Sequence, residues 1–441
     1  GLTYRLGVVS FFLSVPVGIT SGLLCWSVGK RLRLLSEVRQ VLTLPDAIFA
    51  RFNSRLASGL AAAAILIGTV GYLGAQFQAL GIVIEAIFGT EAILGSWSLA
   101  FSMGVGVVVV VVYAVMGGMI AGVYTDVLQG ILMLGAAVAV FYYALESGDG
   151  LQKIIRRIAS SPRFGEDFLD PFGGLPLVTA IGFFFVFSVG TLGQPHMLHK
   201  FYMLDDPRKL KWMPLMIGST QAICLLIWVG IGLAVPALVA AGELAPLARP
   251  DDASALFLVH FTPPLVAGLV FAGILAAVMS TADSLMNIGS AALVRDLPHA
   301  FGKVLKKELA WGRAAVGLIA VTAAVFSYAY DDLIALLGTF AFGTFGAALA
   351  PCLVIGLNWK RVTAAAAAAS IATGTGLSLG LEFLSKQNLL PDLPRVTLPS
   401  GVLPGAVALA ASFTILFAVT WLQGSRDGGD LADDVALVMD I

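Results

Sequence analysis

Between Gly273 and Ser284 the chain reads Gly-Ile-Leu-Ala-Ala-Val-Met-Ser-Thr-Ala-Asp-Ser, which sets Ser280, Thr281 and Asp283 inside a run otherwise fit for lipid. Left unpaired, such groups cost several kcal/mol to bury, and a charge at mid-membrane costs about 2.5–3.5 kcal/mol on the insertion scale. They need partners, and oxygen ligands in a dry helix suit a hard, partly dehydrated cation. The competing reading is that the two hydroxyls return hydrogen bonds to their own helix. A second concentration of chemistry is Phe187-Ser-Val-Gly-Thr-Leu-Gly-Gln-Pro-His196, where Gly190, Gly193 and Pro195 interrupt an apolar run. A regular helix cannot pass through that stretch without losing backbone hydrogen bonds. In lipid, freed backbone groups are tolerated only where they line a cavity or meet other helices, as at a mid-membrane solute or ion site. A plain proline kink is the alternative. His196 has no nearby cysteine or well-spaced second histidine, so it reads as an interior hydrogen-bonding group and not a metal ligand.

Two further places carry polar groups. Tyr124-Thr-Asp126, with Gln129, opens an apolar run just after Gly117-Gly118, which reads as a tight turn. Asp126 either caps that helix or faces the helix bundle as a negative charge near the cytoplasmic exit. Tyr72 and Gln76 stand four apart and share a helix face, beside the row Gly68, Gly71, Gly74. That row reads first as close helix packing, and the polar pair beside it is placed to touch a solute.

The elements that must position these residues are membrane spans. The chain has 441 residues, 58% hydrophobic and 12% charged, with a mean hydropathy of +0.92. Soluble proteins are about a quarter charged, so this composition belongs to an integral membrane protein. A net charge of −1 argues against a nucleic-acid partner. Cys25, Cys224 and Cys352 lie far apart in apolar runs and read as small core residues. Runs of membrane-crossing length fall near 5–29, 57–89, 97–117, 119–145, 174–203, 209–240, 264–294, 310–330, 333–358, 362–384 and 400–423. Lys and Arg concentrate after the odd-numbered runs, as in Lys30, Arg31, Arg33 and Arg39, then Lys200, Arg208 and Lys209, then Arg295, Lys303 and Lys306. The positive-inside rule puts those loops in the cytoplasm and residue 1 outside. Lys386 and Arg395 are sparse charges on the opposite side, and the 147–173 loop is an exception whose bases are partly offset by acids. Gly1 is not Met and no signal peptide precedes the first run, so the chain is expected to be cut from something longer.

Taken together, these segments resemble the sodium:solute symporter family, most closely its sodium/proline symporter branch. The resemblance rests on Thr43-Leu-Pro-Asp46, Gly117-Gly118, Tyr124-Thr-Asp-Val-Leu-Gln129, Gly193-Gln-Pro-His196, Gly273 through Ser284, and Leu293-Val-Arg-Asp-Leu297, all in family order. It implies an all-α integral membrane protein with a LeuT-like inverted-repeat transporter core, about eleven transmembrane helices visible and the first core helix missing. The implied organisation is a first repeat over 1–145, an extracellular loop over 146–173 and a second inverted repeat over 174–358. Two peripheral transmembrane helices over 359–423 and a cytoplasmic tail over 424–441 complete it. The implied activity is sodium-coupled symport of a small organic solute by alternating access across the cell membrane. In the family the main sodium ion is held by groups matching the Ala277 carbonyl and the Ser280 and Thr281 hydroxyls. Asp126 matches a position linked to a second sodium or its exit path, with Asp283 and Ser284 as the matching further ligands. Solute contacts of the proline branch match Tyr72, Phe187, Thr191 and Pro195, and Gln76 shares the face of Tyr72. Phe187 and Thr191 stand where proline transporters carry Trp and Tyr, so an amino acid or other small carboxylate is expected without commitment to proline.

A different class of function is a solute-sensing membrane module of a larger signalling protein, such as a histidine-kinase fusion. The tail from Gly424, with Arg426, Asp427, Asp430, Asp433 and Asp434, is a short acidic stub without kinase motifs. An enzyme is disfavoured, since the chain has no HExxH, GxSxG, P-loop or paired His/Asp cluster.

Overall fold

The computed structural model describes residues 1–13, 15–173, 175–330, 333–385, 398–399, 401–424 and 431–440. Lys386, Arg395, Arg426, Asp427 and Asp430 lie outside them. Among the described residues the regular elements are helices, ten of them long and apolar enough to cross a membrane. An eleventh span is a bent pair, Leu2–Phe11 and Val15–Arg39. Each apolar run of the sequence therefore has its counterpart among these spans, although two of them share one helix.

The first span ends in α1 (Lys30–Arg39), and Thr43 then opens α2 (Leu44–Phe52) with a reciprocal cap. The Asp46 amide donates to Thr43 Oγ1 at 3.2 Å and the Thr43 amide donates to Asp46 Oδ2 at 3.3 Å. Such a box satisfies donors that a helix start otherwise leaves open. At the far end of α2 the buried Arg51 donates to the carbonyls of Gly356, Trp359 and Lys360, at 2.8, 3.2 and 3.2 Å. Burial pushes its pKa down to about 10.

α3 (Arg55–Phe88) starts at Ser54, whose side chain accepts from the Ala57 amide. α4 (Ser98–Ser147) holds two of the spans, Glu91–Met116 and Tyr124–Ser147 counting its lead-in. Its backbone is helical through Gly117-Gly118, so the tight turn expected there is not present. Fifty residues at 1.5 Å each make about 75 Å, more than twice the hydrocarbon thickness of a bilayer.

The fifth apolar run is interrupted as its glycines and proline demand, into α5 (Leu177–Thr191) and α6 (Pro195–Leu198), followed by a 3-10 turn over His199–Met203. Next come α7 (Met213–Ala240), α8 (Pro264–Ala291), α9 (Glu308–Tyr330), α10 (Ile334–Ala350), α11 (Ala364–Ser385) and α12 (Pro404–Leu422). The acidic tail is not merely a stub: α13 (Asp433–Asp440) lies against α1 and buries Val435, Val438 and Met439. It is pinned by Asp434 on Arg39 and by Asp440 on Lys360 at 2.6 Å.

α10 is the buried centre, packed against α3, α5, α11 and α12. Its neighbours approach it through glycine. A Cβ on Gly68 would come within 2.5 Å of the Phe345 ring, and one on Gly193 within 2.5 Å of the Phe345 carbonyl oxygen. The Gly68, Gly71, Gly74 row is thus a packing row, with Gly71 facing Phe340 and Gly74 facing Ala323. Gly193→Ala forces carbon against backbone that cannot rotate away, and should cost about 1–3 kcal/mol. The check is thermal melting of the purified full chain in detergent beside Gly218→Ala, whose added methyl meets nothing within 4 Å. Gly193→Ala should melt several degrees lower, and Gly218→Ala should melt like the parent.

Candidate functional site

The site grows out of the gap between Thr191 and Pro195. Its amides are stitched by short turns: Leu192 donates to Val189, Gly193 to Gly190 and Gln194 to Thr191, at 3.0, 3.0 and 3.2 Å. Pro195 has no N–H to offer, and as the first residue of α6 it needs none. The Gln194 carboxamide donates to the Gly190 carbonyl at 3.2 Å, which leaves Gln194 Oε1 buried without a partner among the described residues. His196 Nδ1 is likewise buried and unpartnered there, so the hydrogen bond expected of His196 is not made at that nitrogen.

An aromatic chain lines the break. Phe187 stacks on Phe342 with ring centroids 4.7 Å apart, Phe342 meets Tyr72 at 5.6 Å, and Tyr72 meets His196 at 5.4 Å. Tyr72 and Phe187 are therefore drawn together by a ring the sequence reading did not single out. Phe342 sits on α10 in Thr339-Phe-Ala-Phe-Gly-Thr-Phe345, where three aromatics share a glycine-bearing stretch and nothing local marks one of them. Thr191 is buried and its hydroxyl donates to the Phe187 carbonyl at 2.5 Å, so it is turned into its own helix. Gln76 is half-buried one turn beyond Tyr72 on α3.

On α8, Ser280 Oγ donates to the Ala277 carbonyl at 3.1 Å, while Thr281 is half-buried with no hydrogen bond to its hydroxyl among the described residues. Of the two readings open for the hydroxyls, self-bonding holds for Ser280 and not for Thr281. Ala277 lines a cavity of about 500 Å³ together with Gly273 and Val278.

A second cavity, of about 480 Å³, opens at the end rich in Lys and Arg, which the positive-inside rule makes cytoplasmic. It brings together Pro195, Asp126, Lys200, Asp283, Ser284 and Asn287. Asp126 is no helix cap. It lies within α4 and accepts from Lys200 Nζ at 2.8 Å. Asp283 is buried, and Asn287 Nδ2 donates both to its carbonyl at 3.0 Å and to its Oδ1 at 3.1 Å. Gly122, one turn before Asp126, leaves room for it: a Cβ there would fall 2.8 Å from Asp283 Oδ2. Asp126, Asp283 and Ser284 thus share one cavity, whereas Ala277 lines the other, and Ser280 and Thr281 line neither.

Two motifs without an assigned role close the rim. Thr43 Oγ1 donates to Asp296 at 3.0 Å, Arg295 pairs with Asp46 at 3.0 Å, and Tyr202 donates its hydroxyl proton to the Thr43 carbonyl at 3.3 Å. Thr43-Leu-Pro-Asp46 and Leu293-Val-Arg-Asp-Leu297 are therefore two halves of one interlock, which their 250-residue separation hides from a reading of the sequence.

Known proteins place this architecture. The family model described as "Sodium:solute symporter family" matches residues 1–374. Sodium/proline symporters of Staphylococcus aureus, strains JH9 and Newman among them, are 28% identical over 389 residues, covering 85% of this chain and 72% of theirs. Among solved structures, a Na+-coupled sialic acid symporter in a substrate-bound outward-open state superposes with a TM-score of 0.71 at 18% identity, over 95% of this chain and 84% of that one. Mhp1, a nucleobase-cation-symport-1 family transporter in a closed conformation with bromovinylhydantoin bound, superposes with a TM-score of 0.53 at 15% identity, over 99% and 94% of the two chains. The fold is the LeuT-like transporter fold expected from the sequence. The chain is a multi-pass membrane transporter and not an enzyme, its coupling ion is sodium and its cargo a small organic solute: it belongs to the sodium:solute symporter family.

Proposed function

We propose that the cargo is an amino acid or another small carboxylate, proline-like solutes included, carried inward with sodium by alternating access. In this reading the Ala277 carbonyl and the Ser280 and Thr281 hydroxyls hold the main sodium ion. Asp126, Asp283 and Ser284 form a second sodium site or its exit path. Tyr72, Gln76, Phe187, Thr191 and Pro195 face the solute, with Phe342 added as the ring that joins Phe187 to Tyr72. The observation that carries the reading is that Pro195 of the broken helix opens onto the same cavity as Asp126, Asp283 and Ser284. One movement of that half-helix would therefore act on the solute and the cation together. The similarity to proteins named sodium/proline symporters supports the solute class, and Phe187 and Thr191 stand where the resemblance to the proline branch implies Trp and Tyr.

Uptake by the full-length protein should fall to background when sodium is replaced by choline at constant pH. Thr281→Ala deletes one ligand of a charged partner, a contact of roughly 1.5 kcal/mol, and should raise the sodium concentration for half-maximal uptake about tenfold. At saturating sodium the solute KM should stay close to the parent's. Sodium titrations of initial uptake rate in proteoliposomes read both effects.

Solute choice should answer to the aromatic chain. Phe187→Trp with Thr191→Tyr should shift relative uptake toward proline, and Phe342→Ala should raise the KM of whichever solute the parent prefers, because it removes a stack worth about 0.5–1.5 kcal/mol and the wall behind it. A competition screen of amino acids and small carboxylates against one labelled solute measures this. A rank order unchanged in the double variant together with a parental KM in Phe342→Ala would remove these rings from the solute site.

A further inference from the structure

We propose that Lys200 is a tethered cation that competes with sodium for Asp126, so that the protein carries its own counter-ion for the moment the transported ion leaves. The inference rests on the reading of Asp126 as part of the sodium path and adds a residue to which that reading gives no role. Three carboxylates (Asp126, Asp283, Asp296) and two fixed cations (Lys200, Arg295) line the cytoplasmic cavity. Arg295 is taken by Asp46 at 3.0 Å, and Asp296 is held at the rim, beside Arg295 in the chain, by the neutral Thr43 hydroxyl at 3.0 Å. What remains in the middle is Asp126 and Asp283 with a single ammonium, which sits on Asp126 at 2.8 Å. Asp283 is close at hand, since Gly122, on the face of α4 that carries Asp126, approaches its Oδ2. The group therefore holds one negative charge in excess when Lys200 is in place and two when it swings away. It can neutralise one monovalent cation or two, and Lys200 determines which.

Three features make exchange feasible. The pair is half-open to the cavity, with the Lys200 side chain 48% and the Asp126 side chain 23% exposed, and ion pairs so exposed are weak and readily broken. The lysine stem is long and flexible, and its ammonium is a compact point charge, the closest a side chain comes to a hydrated alkali cation. Lys200 also lies five residues beyond Pro195, on the half-helix that follows the break. A movement of that half-helix that closes around solute would draw the ammonium away and leave Asp126 to sodium. The return movement would bring it back and expel the ion, and the empty carrier would then reorient with its carboxylate already neutralised.

The initial rate of acylation of Lys200 in the purified full-length protein tests this without substituting the lysine. A water-soluble amine-reactive ester is applied in sodium or in choline at equal ionic strength, and the extent of modification at Lys200 is read by peptide mass spectrometry. Sodium should raise the initial rate roughly two- to six-fold, the span expected for release from a pair of this strength. In Asp126→Asn the rate should be high and the same in both salts. Equal or slower labelling in sodium would overturn the proposal. Equilibrium binding of radioactive sodium separates this from failure of the underlying reading. If Asp126→Asn leaves sodium binding unchanged, Asp126 is off the path and both fail. If that variant weakens binding while the parent's labelling ignores sodium, only the competition fails. Lys200→Met should bind sodium more tightly than the parent by a similar factor, and Lys200→Arg should stay near it. A Lys200→Met protein with parental affinity would also count against the competition.

Discussion

A helix that stops at Thr191 and resumes at Pro195 inside a membrane protein gives up ladder hydrogen bonds where each orphaned group costs several kcal/mol. The chain meets that cost locally. Short turns satisfy the amides of Leu192, Gly193 and Gln194, proline removes one donor, and the Gln194 side chain covers the Gly190 carbonyl. It also meets it globally, because Gly190 and Gly193 let α10 press its own backbone against the gap, with the Phe342 and Phe345 carbonyls where any Cβ would stand. Close backbone approach of this kind is how membrane helices associate without a hydrophobic driving force. It fixes the outer half, α5, against the buried centre of the protein. The inner half, beyond Pro195, is held by fewer such contacts and borders a cavity. The asymmetry places any hinge at the break itself.

The two ends of the bundle are tied by different chemistry. At the cytoplasmic rim the ties are side-chain pairs around a cavity: Asp46 with Arg295, Thr43 with Asp296, Asp126 with Lys200. Pairs as exposed as Asp46–Arg295, a quarter open on each side, are worth at most about 1 kcal/mol. At the other end Arg249 bridges Glu85 and Asp252, at 2.9 Å each, and Asp251 accepts from the Ile334 amide at 3.0 Å to cap α10. Glu85 is 7% exposed there while its partner Arg249 is 43% exposed, so the carboxylate is sheltered and the arginine reaches it from the surface. At that end a single arginine serves two acids, whereas the rim divides its ties among separate pairs.

The sequence made the spans legible because lipid imposes one rule on every apolar run, and it made the break legible because Gly190, Gly193 and Pro195 crowd into six residues, where a lone proline such as Pro236 is carried inside a helix. The Gly68 row was read as packing for the same local reason. The sequence leaves Asp126 open between cap and bundle because its partner, Lys200, lies 74 residues away and on another helix. Gly117-Gly118 was read as a turn because two glycines disfavour a helix, yet the ladder there continues; weak propensities yield to their surroundings. The tail misled in the opposite direction. Its aspartates suggested solvent, although Val435, Val438 and Met439 already carry the three- and four-residue spacing of a buried face. Phe342 left no trace of its role, since its importance is purely a matter of which rings meet in space.

α8 gives the proposed ion path its geometry. Ala277, Ser280, Thr281 and Ser284 recur at intervals of three and four residues and so run along one face of an unbroken helix. Seven residues separate Ala277 from Ser284, a rise of about 10 Å. On the proposed assignment, a sodium ion moving from the Ala277, Ser280 and Thr281 oxygens to the Asp126 and Asp283 cavity travels two turns of the same helix. It keeps α8 oxygens beside it along the way. Nothing in α8 has to unwind for this, and its Gly273 is held firmly against Ala136 of α4. The moving part must then be what faces α8 across the path, and α6, with Pro195 and the Lys200 turn behind it, is the element that packs there. Coupling thus needs only one rigid rail and one hinged half-helix. The rail carries hydroxyls, and on the proposed assignment the half-helix beyond the break carries both a solute contact, Pro195, and a cation of its own, Lys200.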